Sequence, residues 1–242
     1  MKLICYGSSS RGNGYILQGK DEVLLLEAGL PISNVRAHIS DFRTIQGCLV
    51  SHRHGDHTKY MADFMRAGIV CYANENVWDY YDVRDHECKR QVETGKKIKI
   101  GGFSVIPMDA NHDVPCNAYL IHHKEMGKLL FLTDSAGFDC TFKDLRHVMI
   151  ECNWSEECLR QAVEEGRTNS YVANRSRHTH MGLEVAIDYL QAEKIMETAS
   201  EIIMLHLSHE NSDVNIFTQT MENTFHKPVF VAKNGLQIDL LP

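Results

Sequence analysis

The densest chemistry in the chain lies in Ser51-His52-Arg53-His54-Gly55-Asp56-His57. Three imidazoles and a carboxylate so close together form a donor set for a borderline-soft divalent cation, which takes such ligands at about 2.0–2.2 Å. The apolar run Gly47-Cys48-Leu49-Val50 ahead of them has strand character, and Lys59–Met65 behind them has helical spacing. The cluster therefore falls on a strand-to-helix loop, where side chains converge without breaking a ladder. Four such residues seldom complete a two-metal site, so further donors are expected elsewhere. Three later positions qualify as polar residues at strand ends. His112 follows Phe103–Met108, Asp134 ends the apolar run Leu129–Thr133, and His206 ends Ile202–Leu205. A carboxylate closing so apolar a run requires a partner. Taken singly, each is ordinary, a hydrogen-bonded histidine or a turn aspartate. His209 competes with His206 for the last place.

The elements that must carry these residues alternate. Leu3–Tyr6, Tyr15–Gln18 and Val23–Glu27 read as strands between Gly- and Ser-rich turns. A helix is expected over Pro31–Ser40, with its proline in the first turn. Strand Gly47–Ser51, helix Thr58–Ala67 and strand Ile69–Tyr72 follow. Gly101-Gly102 signals a hairpin between Lys96–Ile100 and Phe103–Met108. In the second half, Asn117–His122, Lys128–Thr133, His147–Cys152, Ile202–Leu207, Val229–Ala232 and Leu236–Leu240 read as strands. Helices are expected at Ser155–Glu165, Met181–Gln191 and Asp213–Asn223. Two strand-rich halves that each carry helices predict an α/β fold, two sheets face to face with helices outside, an αββα four-layer sandwich. With no linker and no repeat, residues 1–242 read as one domain.

A chain of 242 residues buries a sizeable core, and 43% hydrophobic with 24% charged residues is ordinary for a globular protein. The net charge of −7 argues against a broad basic surface for long nucleic acid, although a pair of bound cations would restore positive potential locally. The N-terminus lacks the apolar length of a signal peptide, and no run approaches the roughly 20 apolar residues of a membrane span. A cytoplasmic chain is expected, of a bacterium or a phage-infected host, with no membrane partner. Its eight cysteines include no C-x-x-C and read as free thiols.

His52-x-His54-x-Asp56-His57, then His112, Asp134 and His206, resemble in type and order the ligand motifs of the metallo-β-lactamase superfamily over nearly the whole chain. The YycJ-type phosphodiesterases, relatives of RNase Z, are the nearest resemblance. Tyr6–Tyr15 is similar to their Gly-Ser-Ser-Gly-Asn segment and Leu26-Glu27-Ala28-Gly29 to their Asp-Ala-Gly turn. Glu151-Cys152-Asn153 is similar to their Glu-x-Asn strand end, and His206-Leu207-Ser208 to their His-Leu-Ser. That last match makes His206, not His209, the implied ligand.

The resemblance implies two divalent metal ions, Zn²⁺ or Mn²⁺. His52, His54 and His112 would hold one and Asp56, His57 and His206 the other, with Asp134 bridging. It implies an enzyme hydrolysing phosphodiester bonds of nucleic acid or nucleotides. Asp56 would orient the attacking water and His180 would protonate the leaving oxygen, with His178 as fallback. Ser208 and Asn211 would meet substrate. A homodimer is expected, as is common among relatives. Two departures are evident: the flexible arm of RNase Z and the inserted domain of the β-CASP nucleases both lack a counterpart here. Alternatives are a cyclic-nucleotide phosphodiesterase of the phage anti-Pycsar type, a thioester or lactam hydrolase, and a di-iron oxidoreductase.

Overall fold

The computed structural model describes residues 1–242. Its strands form two seven-stranded sheets. The first contains β1 (Lys2–Gly7), β2 (Gly14–Gln18), β3 (Val23–Leu26), β4 (Ile45–Leu49), β5 (Cys71–Ala73) and β6 (Lys89–Gln91), with β14 (Gln237–Asp239) closing the edge beside β1. The second contains β7 (Ile98–Ile100), β8 (Phe103–Ala110), β9 (Cys116–His123), β10 (Gly127–Leu132), β11 (Leu145–Glu151), β12 (Glu201–Leu205) and β13 (Val229–Val231), paired in sequence order. Each sheet is antiparallel on one side and parallel on the other, with parallel pairing from β3 to β6 and from β10 to β13.

Strand alternation explains the layering, because successive side chains leave opposite faces. Leu3, Leu24, Leu26, Phe131, Ile203 and Leu205 meet between the sheets. Their neighbours Ile4, Leu25 and Val50 face outward onto helix residues Val35, Phe64 and Trp78. On the other side Leu130, Leu132, Ile202 and Met204 pack on Ala186, Leu190, Phe217 and Met221. The central parallel strands are thus dry on both faces, which is why they read as unbroken apolar runs. The architecture is the αββα sandwich that the pattern predicted.

The helices depart more from expectation. The run Thr58–Ala67 is two short helices, α2 (Gly55–Thr58) and α3 (Met61–Arg66), following α1 (Ile32–Arg36), itself half the expected length. The Thr58 hydroxyl donates back to the His54 carbonyl and the Tyr60 amide donates to Ala28, which interrupts the helix. Asp56 and His57 consequently occupy the opening turn of α2 rather than a loop. Three elements escaped the pattern: α4 (Glu75–Tyr80), β6 and the helix over Ser170–Thr179. Counting α5 (Glu156–Glu164), that last helix is α6; α7 (Leu183–Ala192) and α8 (Val214–Phe225) follow. α6 buries only Ala173, Ser176 and Thr179, small residues that give no hydrophobic period, so His178 lies on a helix and His180 caps its end. No helix is long and apolar enough to cross a membrane. All eight cysteines are unpaired.

Candidate metal centre

The site residues sit where strands end at one rim of the sandwich. β4 leads to His52, β8 to His112, β10 to Asp134, β11 to Glu151 and β12 to His206. The N-terminal turn between β1 and β2 completes the rim. Its Asn13 side chain donates to Asp56 Oδ2 (3.2 Å), and its Ser8 hydroxyl accepts from the His206 amide (2.9 Å). His206 holds a left-handed backbone (φ 52°), costly for a non-glycine residue and sustained by those surroundings. Gly29 is required for contact: a Cβ there would collide with the carbonyl of Asp56, which the Asn13 amide also occupies.

Two donor sets result. In the first, His54 Nδ1 lies 3.0 Å from His52 Nε2 and 3.3 Å from His112 Nε2. In the second, His57 Nε2 lies 3.3 Å from Asp56 Oδ2 and 3.2 Å from Asp134 Oδ1, and Asp56 Oδ2 lies 3.3 Å from His206 Nε2. Ligands about 2.0–2.1 Å from a tetrahedral ion stand roughly 3.3–3.4 Å apart, so both sets have the spacing of a shared cation. The chemistry of the donors also fits, being imidazole and carboxylate only.

The remaining ring nitrogens are occupied in the way that fixes ligand orientation. His52 Nδ1 lies 2.9 Å from the Ser51 hydroxyl, and His112 Nδ1 donates to the Thr179 carbonyl at 2.6 Å. His54 Nε2 faces Asp113 Oδ1 at 3.3 Å, and His57 Nδ1 faces buried Glu27 at 3.4 Å. Glu151, fully buried, is the most heavily used group. Its Oε2 accepts from the Ser135 and Met181 amides, while its Oε1 accepts from His180 Nδ1 (2.7 Å) and His206 Nδ1 (3.1 Å).

Electrostatics sorts the residues further. Burial drives His52 well below its ordinary pKa, with His57 adding to the effect, so His52 is a neutral donor. For Asp134 burial acts upward, yet the His206 and His57 charges overcome it and hold the carboxyl well below the usual range. Burial likewise opposes protonation of His180, but Glu151 outweighs it and raises the imidazole. His180 therefore holds a proton more tightly than a free imidazole, in a side chain 18% exposed. That cavity, about 330 Å³, is lined by Asp56, Asp134, His54, His180, His206 and Arg175 among eight residues, none hydrophobic.

The beta-lactamase superfamily domain matches residues 24–207, more than half of the sequence. The chain belongs to the metallo-β-lactamase superfamily. Among relatives of this superfamily member, exodeoxyribonuclease WalJ of Streptococcus pneumoniae is 24% identical, across 89% of this chain and 85% of its own length. Exodeoxyribonuclease YycJ of Bacillus anthracis is 26% identical, across 96% and 91%. Among solved structures, the metallo-β-lactamase fold protein YhfI of Bacillus subtilis superposes with a TM-score of 0.75 at 17% identity, covering 98% of each chain. This superfamily member is a hydrolase, and its His/Asp clusters have the donor types and spacing that could hold metal ions.

The structure groups Asp134 with Asp56, His57 and His206, while His52, His54 and His112 form their own set. His178 is exposed, bonded to the Asn174 carbonyl and away from both sets, as is His209, 93% exposed and paired with Glu210. Ser208 and Asn211 line a neighbouring cavity, where Asn211 Oδ1 already accepts from the Thr168 hydroxyl. The sequence reading assigned no site role to Asn13, Asp113 or Arg175. Asp113 carried a visible signal, an acid beside His112, whereas Arg175 carried none because α6 was not anticipated.

Proposed function

We propose that this protein is a phosphodiesterase that hydrolyses nucleic-acid ends through two divalent cations. His52, His54 and His112 would hold one cation, and Asp56, His57, Asp134 and His206 the other. The carrying observation is the pair of donor sets at one wholly polar cavity, with the Glu151–His180 pair on its wall (2.7 Å). The kinship with proteins named exodeoxyribonucleases supports a nucleic-acid substrate.

Cations bound there would supply charge stabilisation for the phosphoryl oxygens and acidify the attacking water. Asp56, its Oδ2 fixed by Asn13, would orient the attacking water. His180, whose protonated form Glu151 favours, would give its Nε2 proton to the departing oxygen. Glu151 also stops the His180 ring from turning away, so the proton stays directed at the cavity. A lactam or thioester reading has no comparable support, since no hydrophobic side chain lines the cavity at the metal centre itself.

The test is a panel of bis-p-nitrophenyl phosphate, single- and double-stranded DNA, RNA, 3′,5′-cyclic mononucleotides and nitrocefin, each with Zn²⁺ and with Mn²⁺. Turnover of phosphodiesters, abolished in Asp56→Ala with the fold intact by circular dichroism, is expected. Turnover of nitrocefin alone would replace the proposal with a lactamase. For His180→Ala, slowing confined to substrates with poor leaving groups is expected, and equal slowing on all substrates would remove its acid role.

A further inference from the structure

The cavity at the metal centre does not stand alone. A second cavity of about 260 Å³ shares Arg175, His180 and His206 with it, and α6 forms one wall with Tyr171. A third, about 480 Å³, shares Leu207 and Ser208 with the second and extends to Arg11 and Lys233. Ser10 lines all three. Shared walls make them one groove, with the metal centre opening along it.

The groove's two arms differ in chemistry. On the α6 arm Tyr171 is 78% exposed, a large aromatic face beside the smaller exposed Val172. One turn on, Arg175 is held against Asp113 (3.1 Å), whose other oxygen faces the ring of His54. An exposed ring and a fixed guanidinium at i and i+4 share one helix face, the combination that stacks a base and grips its phosphate. On the other arm Arg11 and Lys233 are exposed and have no carboxylate partner. Arg43, Arg66, Arg84, Arg160 and Arg167, by contrast, are each neutralised by a neighbouring acid. In a protein of net charge −7, unneutralised cations at the groove are where a polyanion gains most.

We propose that the groove holds one nucleic-acid strand, its terminal nucleotide stacked on Tyr171 beside Arg175 and its following phosphates on Arg11 and Lys233. The assignment rests on the phosphodiesterase reading and narrows it to a polymer end rather than a cyclic mononucleotide. The arm sizes agree, because about 260 Å³ falls just below the roughly 300–1,000 Å³ of small-ligand pockets and suits a single nucleotide unit. The larger arm suits the continuing chain.

Fluorescence anisotropy with labelled dT2, dT4 and dT10, in chelator so that no strand is cut, tests the groove. Affinity should rise at least tenfold from dT2 to dT10. Tyr171→Ala should weaken all three by roughly 5- to 100-fold, the range for one lost base–aromatic stack, while Tyr171→Phe retains affinity. Arg11→Ala with Lys233→Ala should abolish the gain with length and leave dT2 binding as it was. Quenching of the indole of Tyr171→Trp by dT10 gives a second readout that needs no loss of affinity. Equal affinity for dT2 and dT10, an unaffected Tyr171→Ala, or a cyclic mononucleotide binding as tightly as dT10 would each overturn the groove. Turnover of bis-p-nitrophenyl phosphate by metal-loaded wild type separates the two claims. Its presence without length-dependent binding overturns the groove alone, whereas its absence overturns the underlying phosphodiesterase reading.

Discussion

Glu151 illustrates how one buried side chain sets the state of several others. Four donors meet its two oxygens, so every acceptor position is in use. Glu151→Gln keeps the shape but turns an amide NH₂ toward donors that need an acceptor. Metal affinity or activity should fall about 10- to 100-fold, the usual consequence of disturbing a group behind the ligands. A metal titration beside a pH–rate profile checks this, and an unchanged profile would leave Glu151 a packing residue. His206 gives a second expectation. In the metal-free chain burial works to lower its pKa, but Asp134, Asp56 and Glu151 prevail and raise it to about 10. The folded state thus retains a proton that the unfolded chain releases near about pH 6.5. This stabilisation is full below that pH and is lost as pH rises toward about 10. Urea unfolding of chelated protein should show that decline. Loading must also expel the proton, so metal affinity should climb with pH and calorimetric heats should depend on the buffer. Heats independent of buffer would show His206 to be neutral beforehand.

At the scale of elements, the rim depends on a few tight turns. The turn after β3 brings Gly29 against the Asp56 carbonyl, so that a β-branched or even an alanine side chain must displace the α2 opening turn. Gly29→Ala should cost about 1–3 kcal/mol, the usual scale of overpacking. It should also lower metal stoichiometry, because Asp56 and His57 both lie on α2. A melting curve and elemental analysis would report the two effects separately. Full stability with full metal content would show that the close approach relaxes without consequence. α6 contributes differently, since its buried face is small and its exposed face carries Tyr171 and Arg175. Changes on that exposed face should touch ligand binding with little effect on stability, typically within about 0.5 kcal/mol.

For the whole molecule, three apolar layers hold the two sheets and their helices in place. The central one fixes the distance between the β4 rim and the β10–β12 rim, which carry donors of the same set. Phe131 lies fully buried there, its ring 5.6 Å from that of Tyr15 in an edge-on arrangement. Phe131→Ala should cost about 3–5 kcal/mol, as for other large-to-small core changes. Because the cavity lies between the sheets, metal affinity should fall with it, unlike for a surface change of equal size. Denaturant unfolding with and without Zn²⁺ would measure both, and a change confined to stability would show that the rim is held by its own hydrogen bonds.

Residue types and local periods determined much of this protein. His52, His54, Asp56 and His57 announced a metal site because donor chemistry is written in the side chains themselves. Runs such as Leu129–Leu132 announced strands buried on both faces, because burial excludes polar atoms wherever it occurs. Short elements were a different matter. α6 buries only small residues and is tied in by a contact far along the chain, Trp154 Nε1 with the Ser176 carbonyl, and so lacked a hydrophobic period. Which donors stand close enough to share a cation, how Glu151 joins His180 to His206, and that Tyr171 lines the adjoining cavity were decided only when both sheets closed together. Those relations are distances between residues remote in sequence, and a distance of that kind has no existence until the chain folds.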